Sequence, residues 1–157
     1  MPGRRKASEL AAAAAAAVYL LACCSVALSE GYQAGKLRLA AVYGFECALF
    51  GWVEYPFGWL ANPLIWAGVV LLAAGRGRAA ALCGLLAGVP MLHWSLGWDR
   101  QGLGHMLRAG YYLWVASAVV LAAGGGAVWA VRAHGQQGPA NRSHGQRLEE
   151  QLDPGAG

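Results

Sequence analysis

Charge is what this 157-residue chain has least of. Lysine and arginine together number 12, aspartate and glutamate 8, and the charged fraction is 13%, against roughly 25% in a typical soluble domain. With 57% of the residues hydrophobic, so few charges could hardly coat a water-soluble globule, which argues against an ordinary soluble enzyme. A disordered chain is excluded as well, because disorder needs low hydrophobicity and high charge. Cysteine is sparse: Cys23, Cys24, Cys47 and Cys83 fall in no Cys-x-x-Cys or Cys/His metal spacing, so neither a metal nor a cofactor is expected. A disulfide from Cys47 to Cys23 or Cys24 would need an oxidising outer compartment, and inert thiols are the simpler expectation. Only His93 among the histidines lies within an apolar run, so the facing pair that bis-histidine haem ligation requires is missing. The 23 glycines are scattered through apolar sequence and form no phosphate-binding loop. No nucleophile, base and acid fall together, and Ser25, Ser95 and Ser117 read as helix-packing residues; the chain is not expected to be an enzyme. No internal repeat or coiled-coil heptad stands out.

What is abundant is apolar sequence in long runs. A spanning helix needs about 20 apolar residues, and four stretches, 10–28, 59–75, 79–96 and 110–131, contain no Lys, Arg, Asp or Glu. A fifth, 39–58, holds Glu46 and Glu54 and ends at Pro56-Phe57-Gly58. A carboxylate near the bilayer centre costs several kcal/mol, so this stretch reads as an interfacial or re-entrant segment. Cytoplasmic loops carry excess Lys and Arg. Four spans with the N-terminus inside put Arg4, Arg5, Lys6, Arg76, Arg78, Arg132, Arg142 and Arg147 inside, and Lys36, Arg38, Arg100 and Arg108 outside, eight against four. A fifth span through 39–58 would invert everything after it, leaving five basic residues inside and seven outside. The net charge of +4 is thus a topology signal and an attraction to anionic headgroups, with no nucleic-acid partner implied.

The predicted architecture is all-α and polytopic: a cytoplasmic N-terminus (1–9), a four-helix transmembrane domain (10–131) with an outer cap (39–58), and a disordered cytoplasmic tail (132–157). Arg4-Arg5-Lys6 before an apolar run resembles a signal peptide, but 19 apolar residues exceed the roughly 7–15 of a signal h-region, and a retained anchor is favoured over a cleaved signal. Trp52, Trp59, Trp94, Trp98, Trp114, Tyr111 and Tyr112 cluster at the outer face, as an interfacial aromatic belt does. Asn62-Pro63 looks like an N-cap followed by proline at the first helical position; a helix from Pro63 to Gly75 would rise only about 20 Å, so either Trp59–Asn62 extends it through a kink or it begins below the surface. The candidate polar site at the outer cap is Glu46, Glu54, Asn62, Arg100 and Arg108, with the carboxylates expected to pair with the arginines and stitch cap to loop; a proton or cation site is the alternative. In lipid, small residues mark helix contacts, and Ala118, Ala122, Gly126 and Ala130 form one such stripe, Gly84 and Gly88 another.

Three strings, Gly44-Phe45-Glu46-Cys47-Ala48-Leu49-Phe50-Gly51-Trp52, Trp59-Leu60-Ala61-Asn62-Pro63-Leu64 and Gly110-Tyr111-Tyr112-Leu113-Trp114, resemble a loose group of small, uncharacterised bacterial integral membrane proteins. The resemblance covers about Val42 to Gly124, departs from the group's pattern at Ala48, where leucine is expected, and carries no activity with it. The resemblance points to a bacterial membrane protein, and with the excess of Lys and Arg on the inner side the expectation is the plasma (inner) membrane, multi-pass, with both termini cytoplasmic. The expected function is a structural or accessory bundle whose partners are the lipid bilayer and a second copy or a larger membrane complex. A small transporter or channel-like subunit using the outer polar site is the alternative.

Overall fold

The computed structural model describes the backbone of residues 2–33, 36–54, 56–100 and 107–152, and the side chains of 5–28, 41–53, 56–93, 95–96 and 107–134. Helix α1 (Pro2–Cys24) is carried by the alanine run Ala11–Ala17, the strongest helix former available. It stops at Ser25, whose hydroxyl donates to the Leu21 carbonyl at 2.7 Å. The chain then enters an antiparallel hairpin, β1 (Val26–Gln33) with β2 (Lys36–Tyr43), in the register Val26 to Tyr43 and Gln33 to Lys36. Two expectations need correction here. The fold is not purely α-helical, and the first span ends four residues before Leu28. The physical reason lies in the alternation Lys36-Leu37-Arg38-Leu39, a period-two pattern that suits a strand and would split its two charges between opposite sides of a helix.

A two-stranded hairpin is marginal alone, and this one is anchored. The Gly44 N–H donates to the Ser25 carbonyl at 2.9 Å, and the Arg108 N–H to the Ala27 carbonyl at 3.0 Å. Gly44 opens α2 (Gly44–Glu54) against the end of α1, so closely that any Cβ would run into the Ala22 carbonyl. The apolar part of α2, Gly44–Val53, rises about 15 Å at 1.5 Å per residue, half of a hydrocarbon core of about 30 Å.

The short helix α3 (Pro56–Trp59) leads into α4 (Ala61–Ala73) through Leu60, which keeps helical dihedrals of −57° and −21°. Asn62 is therefore not the N-cap: helical backbone has already begun upstream, and its side chain is released for tertiary contact. Gly75, at φ +74°, closes α4. Its N–H reaches the Leu72 carbonyl and that of Arg76 the Leu71 carbonyl, both at 2.8 Å, the two bonds of a Schellman ending. The turn feeds α5 (Gly77–Arg100), and α6 (Ala109–Leu152) follows. The segment 132–157, expected as a disordered tail, has helical backbone as far as Leu152; extending a formed helix is far easier than nucleating one.

The four long helices form a bundle in which α1 and α5 run opposite to α4 and α6, as the contacts Tyr19 to Asn62 and Gly77 to Gly125 require. Its interior is built from small residues: Ala12, Ala15, Ala80, Ala87 and Ala118 are buried. Ile65, Leu72, Met91 and Leu121 are the large aliphatic side chains enclosed completely. Large apolar side chains such as Leu20, Val70, Leu85, Leu92 and Val119 point outward, each more than half exposed. A water-soluble bundle would aggregate through that surface; a lipid-facing one needs it. Three helical stretches are long and apolar enough to cross a membrane, Arg5–Cys24, Pro56–Ala73 and Ala109–His134. The apolar part of α5, Gly77–His93, is shorter, rising about 25 Å.

Helices α5 and α6 meet backbone to backbone in steps of seven. A Cβ on Gly77 would lie 2.5 Å from the Gly125 carbonyl oxygen, and one on Gly84 would lie 2.8 Å from that of Ala118. Tyr111 donates its hydroxyl to the Met91 carbonyl at 2.9 Å. Positions 77, 84 and 91 of one helix thus face 125, 118 and 111 of the other. This shifts the expected small-residue stripes. Ala118, Ala122 and Gly84 are at the contact, but Cβ atoms on Gly88 and Gly126 would meet nothing within 4 Å. Steps of four drift about 40° each around a helix of 3.6 residues per turn, so a strict i+4 row leaves the interface that alternating steps of three and four follow.

Neighbouring glycines therefore make a paired test. Gly125→Ala, whose Cβ would lie 2.6 Å from the Ala81 nitrogen, is expected to destabilise the bundle by about 1–3 kcal/mol. Gly126→Ala is expected to raise stability by up to about 1 kcal/mol through helix propensity. Thermal unfolding in a mild detergent reads both, and equal effects of the two variants would contradict the seam.

Candidate functional site

The buried polar side chain that bridges helices here is that of Asn62, 8% exposed. Its Oδ1 accepts a hydrogen bond from the Tyr19 hydroxyl of α1 and another from the Trp114 Nε1 of α6, each at 3.0 Å. The indole N–H can only donate, so the amide oxygen has to face it. Both lone pairs of that oxygen are then occupied, and three helices are tied at one atom. Tyr19 also meets Trp66 edge-on at 5.4 Å between ring centroids, and Tyr111 meets Trp114 at 6.1 Å. Around the node pack Ala61, Ile65, Ala87, Met91 and Ala118. Away from water an unmade hydrogen bond is expensive, which is why the tyrosine, the tryptophan and the asparagine occur as a set.

Other side chains around this end of the bundle make contacts of their own. Trp59 Nε1 donates to the Ala48 carbonyl at 2.7 Å, fastening α3 to α2. Ser117 donates to the Trp114 carbonyl at 2.6 Å. His93 lies edge-on to Phe57 at 5.2 Å. The Arg108 carbonyl receives the Tyr111 N–H at 3.0 Å and opens α6.

Of the five residues singled out from the sequence, Asn62 becomes the centre of the node, with helical partners in place of charged ones. Glu46 sits in the first turn of α2 and its carboxylate accepts the Tyr43 N–H at 2.9 Å, the acidic half of a capping box, where a carboxylate also complements the helix dipole. Arg108 contributes its backbone to the hairpin and to the start of α6, with its side chain exposed. The side chains of Glu54 and Arg100 lie outside the described residues. Tyr19 and Trp114 were not singled out as site residues. Their signal was a polar tip inside or at the end of an apolar run, which in lipid demands a partner.

Among the described residues Cys23, Cys24, Cys47 and Cys83 form no disulfide, and no group of three or more His, Cys, Asp or Glu is placed to hold a metal ion. No family model, curated protein or solved structure matches the chain.

The node can be measured as a coupling. A double-mutant cycle of Tyr19→Phe and Asn62→Ala is expected to give an interaction energy of about 0.6 kcal/mol and at most about 1.7, the span found for side-chain hydrogen bonds within membranes. Strict additivity in detergent unfolding would mean that the Tyr19 bond contributes nothing.

Proposed function

We propose that the chain is an integral membrane protein of a bacterial plasma membrane, a four-span bundle with both termini cytoplasmic. In this reading it acts as a structural or accessory component through helix contacts with a second copy or a larger membrane complex. The observation that carries the reading is the fate of the interior polar side chains. Among the described residues the buried polar ones are Ser8, Asn62 and Ser117, and each is held by a hydrogen bond within the bundle. A transport path needs polar or ionisable groups facing a cavity; here the interior is given to packing.

Further features support the membrane topology. Exposed Arg5, Lys6, Arg76, Arg78 and Arg132 belong to one end of the bundle, as the cytoplasmic face should. At the hairpin end α2 exposes Phe45, Leu49, Phe50, Trp52 and Val53, a surface suited to lying in the headgroup boundary. The apolar part of α5 would cross as the fourth span with its neighbours as cover.

Reconstituted into liposomes loaded with a pH-sensitive dye, the protein is expected to conduct no more protons than empty vesicles under an imposed gradient. A flux that disappears in Asn62→Ala would instead establish the transporter alternative. Single cysteines at Lys36 and Gln136, in an otherwise cysteine-free background, are expected to label from opposite sides of the membrane; same-side labelling would refute four spans.

A further inference from the structure

The end of the bundle opposite the hairpin holds a concentration of positive charge. Arg132 of α6 places its guanidinium directly on the α4–α5 turn: a Cβ built on Gly75 would meet the Arg132 Nη2, with Cζ at 3.3 Å and Nη1 at 3.6 Å. Arg76 follows Gly75 in the chain and Arg78 comes two residues later, and all three arginines are exposed. Part of the reason for Arg132 is local, since a cation beside the last turn of α4 complements its dipole. That accounts for one charge and not for three.

Like charges brought to one turn repel, and a carboxylate or a bound anion relieves such repulsion. Among the described residues the ion pair present is that between Arg5 and Glu9, at 3.0 Å, and it involves none of the three. A guanidinium carries five donors in a planar fork that fits phosphate oxygens. Just beside the charges the surface turns apolar: Val70, Trp129 and Val131 are each more than half exposed. Trp129 belongs to the contact with Gly77, where its backbone nitrogen would lie 2.9 Å from a Cβ. A cationic turn bordered by exposed apolar side chains matches a ligand with an anionic head and a hydrocarbon body, and basic pockets between helices on the cytoplasmic side are where such headgroups bind.

We propose that Arg76, Arg78 and Arg132, gathered at the Gly75 turn, form a binding site for the phosphate of a net-anionic phospholipid headgroup, with the acyl chains lying along Val70 and Trp129. The site rests on the reading of the chain as an integral membrane bundle. It adds a lipid preference that this reading alone does not require.

The test uses the full chain in a neutral detergent and native mass spectrometry, with phosphatidylglycerol and phosphatidylcholine offered as competing probes. Phosphatidylglycerol is expected to be retained in preference, and Arg132→Gln to lower that retention about fivefold, the equivalent of roughly 1 kcal/mol per basic residue near a membrane surface. Arg76→Gln, an exposed substitution that leaves the Gly75 turn intact, is expected to act in the same direction and guards against misfolding of the first variant. Phosphatidylcholine retention should be unchanged in both. Arg108→Gln at the opposite end is expected to have no effect; a loss equal to that of Arg132→Gln would mean net charge alone and overturn the site. Equal retention of the two lipids by the unsubstituted protein would also overturn it, as would displacement of phosphatidylglycerol by millimolar inorganic phosphate, which would identify a free-anion site. Failure of the protein to retain phosphatidylglycerol would overturn the site, whereas its release from membranes by alkaline carbonate would overturn the membrane reading itself.

Discussion

The interior of this bundle depends on close approach of backbones, and in the proposed lipid setting there is almost no hydrophobic drive between helices to replace it. What remains is dispersion, which falls steeply with separation, and hydrogen bonding. Gly77, Gly84 and Gly125 let α5 and α6 touch along their main chains, and the other elements are placed by that spacing. Leu121 can then reach across the bundle into the notch left by Gly68, where a Cβ would collide with its Cδ2. Ala12, Ala15, Leu72 and Ala80 close around Leu121 in the half of the bundle nearer the N-terminus.

The other half is organised by polarity. Asn62 receives one helix through Tyr19 and another through Trp114. Steric fit sets distance along α5 and α6, and a single amide oxygen sets which parts of α1, α4 and α6 meet. The two devices are complementary: small residues tolerate sliding, whereas a two-donor node has one register. Both favour a fixed assembly over a moving one, which suits the proposed accessory role. The asymmetric ends follow, one with a hairpin and exposed aromatics, the other with arginines at the Gly75 turn.

Much of this was legible in the residues. The apolar stretches at 10–28, 59–75 and 110–131 overlap the three helical segments long enough to cross a membrane, because length and lack of charge are local properties. The segment 39–58 is separable from them by Glu46 and Glu54, by its Pro56-Phe57-Gly58 end, and by the Lys and Arg count that a fifth span would invert. The hairpin is not legible in the apolar runs, although Lys36-Leu37-Arg38-Leu39 alternates, because its strands are only eight residues long and pair with each other. Asn62 was recognised as unusual for the wrong reason. An Asn-Pro pair resembles a helix start, and nothing local reveals that α3 has already supplied one. Glu46 likewise looked available for an arginine, while the nearer Tyr43 N–H was in reach.

Composition and local pattern by themselves determined that the chain is mostly helical and apolar and where its uncharged stretches lie, since each depends on a residue and its immediate neighbours. Tertiary structure alone decided that Gly125 and not Gly126 faces α5, and that Tyr19, Asn62 and Trp114 converge. It also decided that Arg132 comes to rest on a turn 57 residues before it in the chain. The reason is geometric. Which of several similar small or polar residues is used depends on helix rotation and offset, and those are set by the partner helix and not by the sequence around any one position.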